Sequence, residues 1–482
     1  MTNSYQLQPD SLYQSLPWPS EYAPNRMASV HDGKHTYWVV KLETGSLQDA
    51  KSGLTKVFEA VKGHLVDVTE HLLPVATRFK VTRNILVSDL NDDGFQDFFL
   101  NNHGPEPSNG LFPGEQNALY LFNPVEGRFM EQLTPAMDFS HGSSAGDFDG
   151  DGRQDVLVNN LGSTSGTPSY LLRQLPTGEF VRQDIAATFV NALGPLTASI
   201  SLNGGGASAL ISTQRQGNDL VMWSNITSPN PVMRILAQLP MLVDGVFEIL
   251  SGDFDGNGQP DLLVVGTGDE LKAANGVVVG GTLMASLVFD AGLPTQKMRQ
   301  PLLDAGIAPV TTGGLYVQMV DIDNSGTTDI QISTFDTDWH PHRYVIFFNH
   351  DQSAQVFPDF CGYSNVDSFY LDTNDDGVQD VVQVATNGLY IHIGTITPLQ
   401  GTPKNDILDA TKTESAGTGD DSLDGLKGID TMIGGDGNDT YYVDNPKDSI
   451  IEEDQSDSNA GDDDIVHSTA ASYTLPANVE HF

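Results

Sequence analysis

One nine-residue pattern, D-x-D-x-D-G-x-x-D with occasional Asn or Ser replacements, recurs along this chain and leads each time into an apolar run. Its five copies begin at Asp89, Asp147, Asp253, Asp321 and Asp372. These starts are 58, 106, 68 and 51 residues apart, so the widest gap predicts a hidden copy. That copy begins at Ser201, where the glycines remain without the carboxylates, and a weaker one begins at Ser29. The chain therefore contains seven units.

Each unit reads as a short strand, an acidic turn, an apolar strand, a loop and a third strand, and several units add a fourth strand. Short strands at even spacing with almost no helical periodicity indicate an all-β fold, and four strands per repeat indicate propeller blades. The last unit lacks an obvious fourth strand, so we expect an N-terminal strand from residues 5–27 to complete it and close the ring. The prediction is a seven-bladed β-propeller over residues 1–397.

The acidic turns have the composition of a site for a hard cation. Calcium takes about six to eight oxygen ligands, and alternating residues in a tight turn can aim several carboxylates at one point. Side chains at positions 1, 3, 5 and 9 and the backbone carbonyl of position 7 would supply these ligands, while glycine at position 6 permits the bend. Without an ion, the carboxylates are expected to have no internal cation to offset their repulsion. The predicted ligands are Asp89, Asn91, Asp93, Phe95, Asp97, Asp147, Asp149, Asp151, Arg153, Asp155, Asp253, Asp255, Asn257, Gln259, Asp261, Asp321, Asp323, Ser325, Thr327, Asp329, Asp372, Asn374, Asp376, Val378 and Asp380.

An EF-hand is the rival calcium site, because its loop also starts D-x-D-x-D-G. It requires a glutamate at position 12 and helices on both sides. Position 12 is instead Leu100, Val158, Val264, Ile332 and Gln383. The flanks are also strand-like, so an EF-hand is excluded, and solvated acidic hairpins without metal are the alternative.

On these turns, the units resemble the FG-GAP or VCBS-type repeats of integrin α-subunit propellers and of many bacterial surface proteins. The resemblance covers about residues 5–397 and implies about five calcium ions, bound at the positions just named. The units at Ser29 and Ser201 depart from the pattern and are expected to be empty. Asn257 and Ser325 replace a carboxylate at position 5, so we expect weaker calcium binding in those two turns.

A second kind of repeat begins at residue 398, where the composition turns to Gly, Asp, Asn and Thr. Three consecutive nonapeptides from Ala416 to Tyr442, and a fourth from Gly401, approximate the G-G-x-G-x-D-x-U-x pattern of a parallel β-roll. A flexible Gly/Asp linker is the alternative. The recurring aspartates, which would coordinate calcium, are Asp406, Asp421, Asp430 and Asp439.

Residues 398–442 resemble the hemolysin-type repeats of RTX proteins, and one or more calcium ions are implied there. Residues 443–482 are expected to form an RTX-associated C-terminal segment, because the tail SYTLPANVEHF resembles the start of one. Two alternatives stay open: the segment is truncated at Phe482, or the chain ends there unusually early. RTX proteins leave bacteria by type I secretion without an N-terminal signal, and residues 1–30 do not resemble a signal peptide. The resemblance therefore implies a secreted or cell-surface bacterial protein.

The charge of the chain restricts its partners. The sequence has 64 acidic and 23 basic residues, a net charge of −41. Such a chain repels phosphate backbones and anionic membrane surfaces, so nucleic acid is not expected as a partner and cations are. No apolar run approaches the roughly 18 residues of a membrane helix.

No catalytic motif is recognisable, neither a G-x-S-x-G nucleophile turn nor a phosphate-binding loop. The loops that join second to third strands should emerge opposite the acidic turns. The loop after Phe335 carries the predicted ligand-binding residues Trp339, His340, His342 and Arg343, an aromatic face beside polar donors.

Three function hypotheses follow. The favoured one is adhesive or lectin-like binding of polysaccharide or a cell surface. The second is self-association into a calcium-dependent surface layer, sheath or filament. The third is a polysaccharide lyase, because propellers also host that chemistry and fold does not decide function.

Overall fold

The structure is a computed structural model. Its described residues contain two one-turn helices, α1 (Thr69–Leu72) and α2 (Ala187–Val190). It describes residues 4–481 apart from residues 33, 45–52, 75–78, 107–111, 161–166, 202–206, 215–218, 240–245, 255–256, 273–277, 294–295, 300–308, 311–315, 321, 323–327, 336–340, 349–353, 359–366, 375–377, 386–387, 398, 410–421, 436–438, 453–463, 477–478 and 480.

Seven antiparallel sheets follow one another in the described part of the chain, and we call them blades 1 to 7. Blade 1 contains β2 (Ala23–His31), β3 (Thr36–Glu43), β4 (Gly53–Val61) and β5 (His64–Asp67). Blade 2 contains β6 (Thr82–Ser88), β7 (Asp97–Asn102), β8 (Ala118–Asn123) and β9 (Arg128–Leu133). Blade 3 contains β10 (Ser140–Gly146), β11 (Asp155–Asn160), β12 (Tyr170–Gln174) and β13 (Phe180–Asp184). Blade 4 contains β14 (Leu193–Ile200), β15 (Ala209–Gln214), β16 (Asp219–Ser224) and β17 (Val232–Gln238).

Blades 5 and 7 depart slightly from this plan, whereas blade 6 follows it. Blade 5 contains β18 (Val246–Gly252), β19 (Asp261–Lys272), β20 (Val278–Phe289) and β21 (Lys297–Arg299), and the short β22 (Pro309–Val310) also pairs with β20. Blade 6 contains β23 (Tyr316–Val320), β24 (Asp329–Phe335), β25 (Pro341–Phe348) and β26 (Ala354–Pro358). Blade 7 contains β27 (Asp367–Leu371), β28 (Asp380–Ala385), β29 (Gly388–Thr397) and, as its outermost strand, β1 (Ser4–Gln14).

The strand β1 joins the two ends of the ring. It pairs antiparallel with β29, with Ser4 opposite Thr397 and Tyr13 opposite Tyr390. One sheet therefore contains both the first strand of the propeller and its last three, and the seven-bladed all-β propeller is confirmed.

Buried apolar clusters fill all seven spaces between neighbouring blades of the described chain. Each cluster combines side chains from two adjacent blades, and the cluster between blades 7 and 1 completes the circle. Representative pairs, in order around the ring, are Val39 with Phe98, Phe99 with Val156, Leu157 with Leu210, Ile211 with Leu262, Leu263 with Ile330, Val345 with Tyr370, and Leu389 with Trp38.

The second strand of each blade is buried on both faces. In β7, Phe98 faces the cluster with blade 1 and Phe99 the cluster with blade 3. A strand covered on both sides needs apolar residues at successive positions instead of alternating ones. This explains why the acidic turns lead directly into largely apolar runs.

A buried lysine also links blade 1 to blade 2. Lys41 on β3 is fully buried and its Nζ donates a hydrogen bond to the Phe79 carbonyl at 2.6 Å. A Cβ at Gly53 would collide with both groups, so only glycine fits there. Burial lowers the pKa of Lys41 to about 8.

The second and third strands of blade 5 are longer than those of the other blades, with twelve residues each. The strand β19 extends to Lys272 and β20 begins at Val278, and these two residues lie opposite each other. Leucine and consecutive valines in these strands favour strand pairing.

The described residues beyond the propeller form two parallel sheets. One contains, in spatial order, β30 (Leu399–Gln400), β32 (Ser422–Asp424), β34 (Thr440–Val443) and β36 (Ile465–Ser468). The other contains β31 (Ile407–Asp409), β33 (Thr431–Ile433) and β35 (Ser449–Ile451). Strands of the two sheets alternate along the sequence, and Leu423, Met432 and Tyr441 share a buried cluster. The parallel pairing continues past residue 442. Within the described residues, no helix has the length and apolar character needed to cross a membrane.

Candidate metal centres

The turn of blade 3 brings three carboxylates together. One oxygen each from Asp147, Asp149 and Asp151 lies within 4.8 Å of the others, and all three residues are partly exposed. The turn is anchored at both ends, because Gly146 pairs with Asp155 in the ladder between β10 and β11. Clustered carboxylate oxygens are the ligands that calcium prefers, so the donor set fits the predicted ion.

The carboxylate at position 1 accepts hydrogen bonds from several backbone amides of its own turn. Asp147 Oδ1 accepts hydrogen bonds from the amides of Gly150 (2.8 Å) and Asp151 (3.1 Å), and Oδ2 accepts one from Gly152 (2.9 Å). Two other turns repeat the bonds to positions 5 and 6: Asp89 accepts from Asp93 and Gly94, and Asp253 accepts from Asn257 and Gly258.

The glycine at position 6 is required by the backbone. Gly94, Gly152 and Gly258 have φ angles of 89°, 84° and 75°, in the left-handed region. No atom lies within 4 Å of a Cβ built at any of the three, so conformation and not space selects glycine.

The side chain at position 5 orients position 7. Asp93 Oδ1 accepts the Phe95 amide at 3.0 Å, and Asn91 Nδ2 donates to Asp93 Oδ2 at 3.0 Å. The same bond links Arg153 to Asp151 and Gln259 to Asn257. The predicted carbonyl ligands Phe95, Arg153 and Gln259 are therefore all fixed within their turns.

The carboxylate at position 9 has a structural role as well. Asp97 is fully buried, and it accepts the amides of Leu90 (2.9 Å) in the turn and Phe122 (2.7 Å) on the third strand. Fully buried aspartates occupy this position in every acidic turn: Asp97, Asp155, Asp261, Asp329 and Asp380. Burial raises the pKa of Asp97 to about 7, opposed by these hydrogen bonds. It raises the pKa of Asp155 to about 7 as well, opposed by hydrogen bonds from backbone amides such as that of Gln174 (3.1 Å). Position 9 thus joins the turn to two strands whether or not an ion is bound.

The expectation that no internal cation offsets the carboxylates is wrong for blade 3. Arg173 on β12 places Nη2 2.9 Å from Asp151 Oδ2, and its guanidinium also contacts Asp149. Arg153 contacts Asp151 as well. The spacing within the turn could not reveal Arg173, because this residue lies on a different strand.

The structure describes only some of the predicted ligands in the turns of blades 6 and 7. In blade 7, Asp372 Oδ1 accepts the Asn374 amide at 3.2 Å, and Val378 lies in the described part of that turn. In blade 6, Asp329 Oδ2 accepts the Ile322 amide at 2.9 Å. Predicted site residues outside the described part of the chain are Asp255, Asp321, Asp323, Ser325, Thr327, Asp376, Asp421, Trp339 and His340.

A ladder of aspartates runs along one C-terminal parallel sheet. The Asp406 amide donates to Asp430 Oδ1 at 2.8 Å, and the Asp430 amide donates to Asp448 Oδ1 at 2.9 Å. Asp430 Oδ2 is buried with no hydrogen-bond partner among the described residues. Burial, together with the charges of Asp448 and Asp406, raises the pKa of Asp430.

The other sheet carries a second acidic cluster. Asp439, Glu452 and Asp464 each place an oxygen within 4.8 Å of the others, and the Asp439 amide donates to Asp464 Oδ1 at 2.8 Å. Tyr441 donates its hydroxyl hydrogen to Glu452. The sequence pattern missed Asp448, Glu452 and Asp464 because the glycines of the repeat are lost there. A shorter signal, an aspartate two residues before a buried apolar residue, recovers Asp448 before Ile450 and Asp464 before Val466.

The predicted ligand-binding residues do not all lie in a loop. His342 and Arg343 lie on β25, where they pair with Thr334 and Ser333 of β24. Proline at residue 341 begins this strand, and the apolar run that follows continues it. Trp339 and His340 precede it outside the described residues.

One comparison with known proteins, the family model, supports the propeller. A family model described as FG-GAP-like repeat matches residues 61–158, which include the turns of blades 2 and 3. No curated protein matches the chain. Among solved structures, the rhamnogalacturonan lyase YesW is similar with a TM-score of 0.37 and 11% identity, over 77% of this chain and 72% of that one. A triple-arginine mutant of AofleA from Arthrobotrys oligospora has a TM-score of 0.42 and 10% identity, over 76% of this chain and 92% of that one. At these levels neither likeness bears on function.

Proposed function

We propose that the chain is a secreted bacterial calcium-binding surface protein with an adhesive, lectin-like role. In this proposal, calcium occupies the acidic turns of the propeller and a C-terminal parallel β-roll of RTX type. The observation that carries the proposal is the convergence of Asp147, Asp149 and Asp151 within one pre-shaped turn. A chain with a net charge of −41 also gains stability when cations bind its carboxylates.

The partly exposed turns suit calcium at extracellular concentrations. Sites built from few, accessible carboxylates bind calcium in the millimolar range, as extracellular modules do. In this proposal the ions are loaded after type I secretion, and the free carboxylates keep the aspartate-rich parts of the chain loose before that.

Calcium binding is tested by titrating the chelated protein with calcium while following heat release and thermal unfolding. We expect calcium to raise the melting temperature. Asp149→Ala should remove one bound ion and reduce this increase, whereas Ser201→Ala, in the turn without carboxylates, should do neither. Equal behaviour of the two variants, or no effect of chelation, would contradict the proposal.

The adhesive role assigns polysaccharide or a cell-surface glycan as the ligand, on the end of the ring opposite the acidic turns. A glycan array probed with and without calcium tests it. We expect binding that requires calcium and that the double change Trp339→Ala and His342→Ala abolishes without altering calcium-dependent melting. If the protein bound no glycan on the array in the presence of calcium, the adhesive role would be refuted.

Self-association is a second candidate, favoured by the outer edge of blade 4. Val232, Met233 and Ile235 lie on β17, the outermost strand, and are 55%, 43% and 50% exposed. An exposed apolar edge strand is a template for pairing with another chain. Micrographs of the purified protein with calcium should show sheets or filaments if this candidate is right, and Ile235→Lys should prevent them.

A further inference from the structure

Two histidines of neighbouring blades meet at the end of the ring opposite the acidic turns. His103 follows β7 of blade 2 and His141 lies on β10 of blade 3, and their ring centres are 4.8 Å apart at an interplanar angle of 73°. His103 is fully buried and packs against Phe139, with 3.7 Å between the ring centres. Neither histidine belongs to a predicted calcium site.

β-Bulges bring basic side chains of two first strands to this place. The ladder between β10 and β11 shifts register at His141, which is therefore an extra residue of its strand. The ladder between β6 and β7 shifts register at Arg83 in the same way. A bulge re-aims a side chain that regular pairing would place elsewhere, and bulges are common beside functional sites. Both bulged residues lie close enough to His103 for their charges to act on its ring.

Hydrogen bonds to backbone carbonyls orient both imidazole rings. His103 Nδ1 lies 2.9 Å from the Gly104 carbonyl oxygen, and His141 Nδ1 lies 3.2 Å from that of Phe139. A carbonyl oxygen can only accept, so Nδ1 carries the proton in each neutral ring and Nε2 keeps a lone pair. Metal-binding histidines almost always have this arrangement, because the carbonyl fixes both the tautomer and the ring orientation.

The lone pair of His103 faces another acceptor. His103 Nε2 is buried with no hydrogen-bond partner among the described residues, and Glu106 Oε1 lies 3.2 Å from it. Two acceptors at this distance need a positive charge between them. Burial, with the charges of Arg83 and His141, lowers the pKa of His103 to about 2, so a second proton on the ring does not supply that charge. A metal cation would supply it.

The distances fit a tetrahedral ion. Ligand atoms about 2.0–2.1 Å from zinc are roughly 3.3 Å apart at tetrahedral angles, and two bound imidazoles then have ring centres roughly 5 Å apart. The structure has 3.2 Å between His103 Nε2 and Glu106 Oε1, and 4.8 Å between the two imidazole rings. Imidazole nitrogens suit zinc, whereas calcium takes oxygen ligands.

Arg83 competes with a metal ion for Glu106, as Arg173 competes with calcium in blade 3. Its Nη2 donates to Glu106 Oε1 at 2.8 Å, and both side chains are 30% exposed. Donor atoms of His103, His141 and Glu106 do not all lie within 4.8 Å of one another. Because Glu106 is partly exposed, its side chain can leave Arg83 and close on an ion held by the two histidines.

We propose that His103 Nε2, His141 Nε2 and a carboxylate oxygen of Glu106 bind one zinc ion. The ion joins blade 2 to blade 3 at the end of the ring that has no acidic turns. This site goes beyond the calcium-binding and adhesive functions proposed above and depends on neither of them.

The test uses the full chain in excess calcium, so that the acidic turns do not take up the added metal. Calorimetric titration should show one zinc ion bound per chain, and cobalt in its place should give the intense visible absorption of a tetrahedral site. Glu106→Gln and His141→Ala should each weaken zinc binding roughly tenfold or more, since each removes a ligand. Arg83→Leu should strengthen it several-fold by releasing the carboxylate.

The double change His31→Ala and His35→Ala is the matched control, because it removes two exposed histidines from the turn of blade 1. It should leave both zinc affinity and cobalt absorption unchanged. If His141→Ala fails to fold, Glu106→Gln decides alone, since it alters a partly exposed side chain without changing its size. No zinc binding, zinc affinity unchanged by Glu106→Gln, or cobalt absorption lost in the control would overturn the inference.

Discussion

Arg173 on the third strand of blade 3 lies against the acidic turn, with Nη2 2.9 Å from Asp151 Oδ2. Val156 pairs with Leu172, so the register of β11 and β12 sets Arg173 beside the turn. The corresponding residues in three other blades are Leu121, Phe289 and Ile393. Blade 3, whose turn has aspartate at positions 1, 3, 5 and 9, thus contains a cation that competes with calcium for two of them.

Arg173→Leu should convert this turn to the arrangement of blade 2. We expect its calcium affinity to rise several-fold, because the ion no longer displaces a guanidinium group, and the melting temperature in chelator to fall. Calorimetric titration and thermal unfolding measure both effects. The reciprocal variant Leu121→Arg places the cation beside the turn of blade 2 and should weaken calcium binding there; unchanged affinity in both variants would show that the ion pair does not compete.

Two carboxylates of one turn should differ in their dependence on calcium. Asp97→Ala leaves the buried amides of Leu90 and Phe122 without acceptors, so we expect about 2–4 kcal/mol lower unfolding free energy in chelator, and a loss at least as large in calcium, where a predicted ligand is removed as well. Asp93→Ala should lower stability mainly in calcium. Denaturant unfolding of both variants under both conditions checks this. If Asp97→Ala lowered the unfolding free energy in calcium but not in chelator, position 9 would act only as a calcium ligand.

Lys41 should make the propeller more stable as the pH rises from 8 to 10.5. Its pKa is about 8 in the fold against 10.5 for an unperturbed lysine, so between these values the unfolded chain binds more protons and deprotonation favours folding. Between pH 7.5 and 9.5 the native protein should gain about 2 kcal/mol relative to Lys41→Gln. The control variant Lys80→Gln changes an exposed lysine. Its unfolding free energy should change with pH as that of the native protein does. If the unfolding free energies of the native protein and of Lys41→Gln changed in parallel with pH, the lowered pKa of Lys41 would be disproved.

The C-terminal sheets should depend on calcium more than the propeller does. Their short strands bury few apolar side chains, whereas Asp430, Asp439 and Asp464 are buried close to other carboxylates. Without an ion, this repulsion should open the region. Limited proteolysis in chelator should therefore cut first between residues 398 and 482, and calcium should protect these bonds; first cuts within residues 1–397 would contradict the expectation.

Much of the propeller could be predicted from residue order because its information is local and repeated. The spacing of the acidic turns gives the number of blades, and the apolar run after each turn identifies the strand that neighbouring blades cover on both faces. The left-handed glycines such as Gly152 follow from the turn pattern in the same way. These features need only short-range geometry and the seven-fold repeat.

The tertiary structure decided which side chains meet. Arg173 reaches Asp149 through strand register, Asp430 stacks on Asp448 through the winding of the parallel sheets, and His103 meets His141 through the packing of blade 2 on blade 3. No local pattern encodes these neighbours, because each contact joins segments whose distance in sequence says nothing about their distance in space. The sequence by itself determined where carboxylates cluster, and the folded ring determined which of them have a cation, an amide or an imidazole beside them.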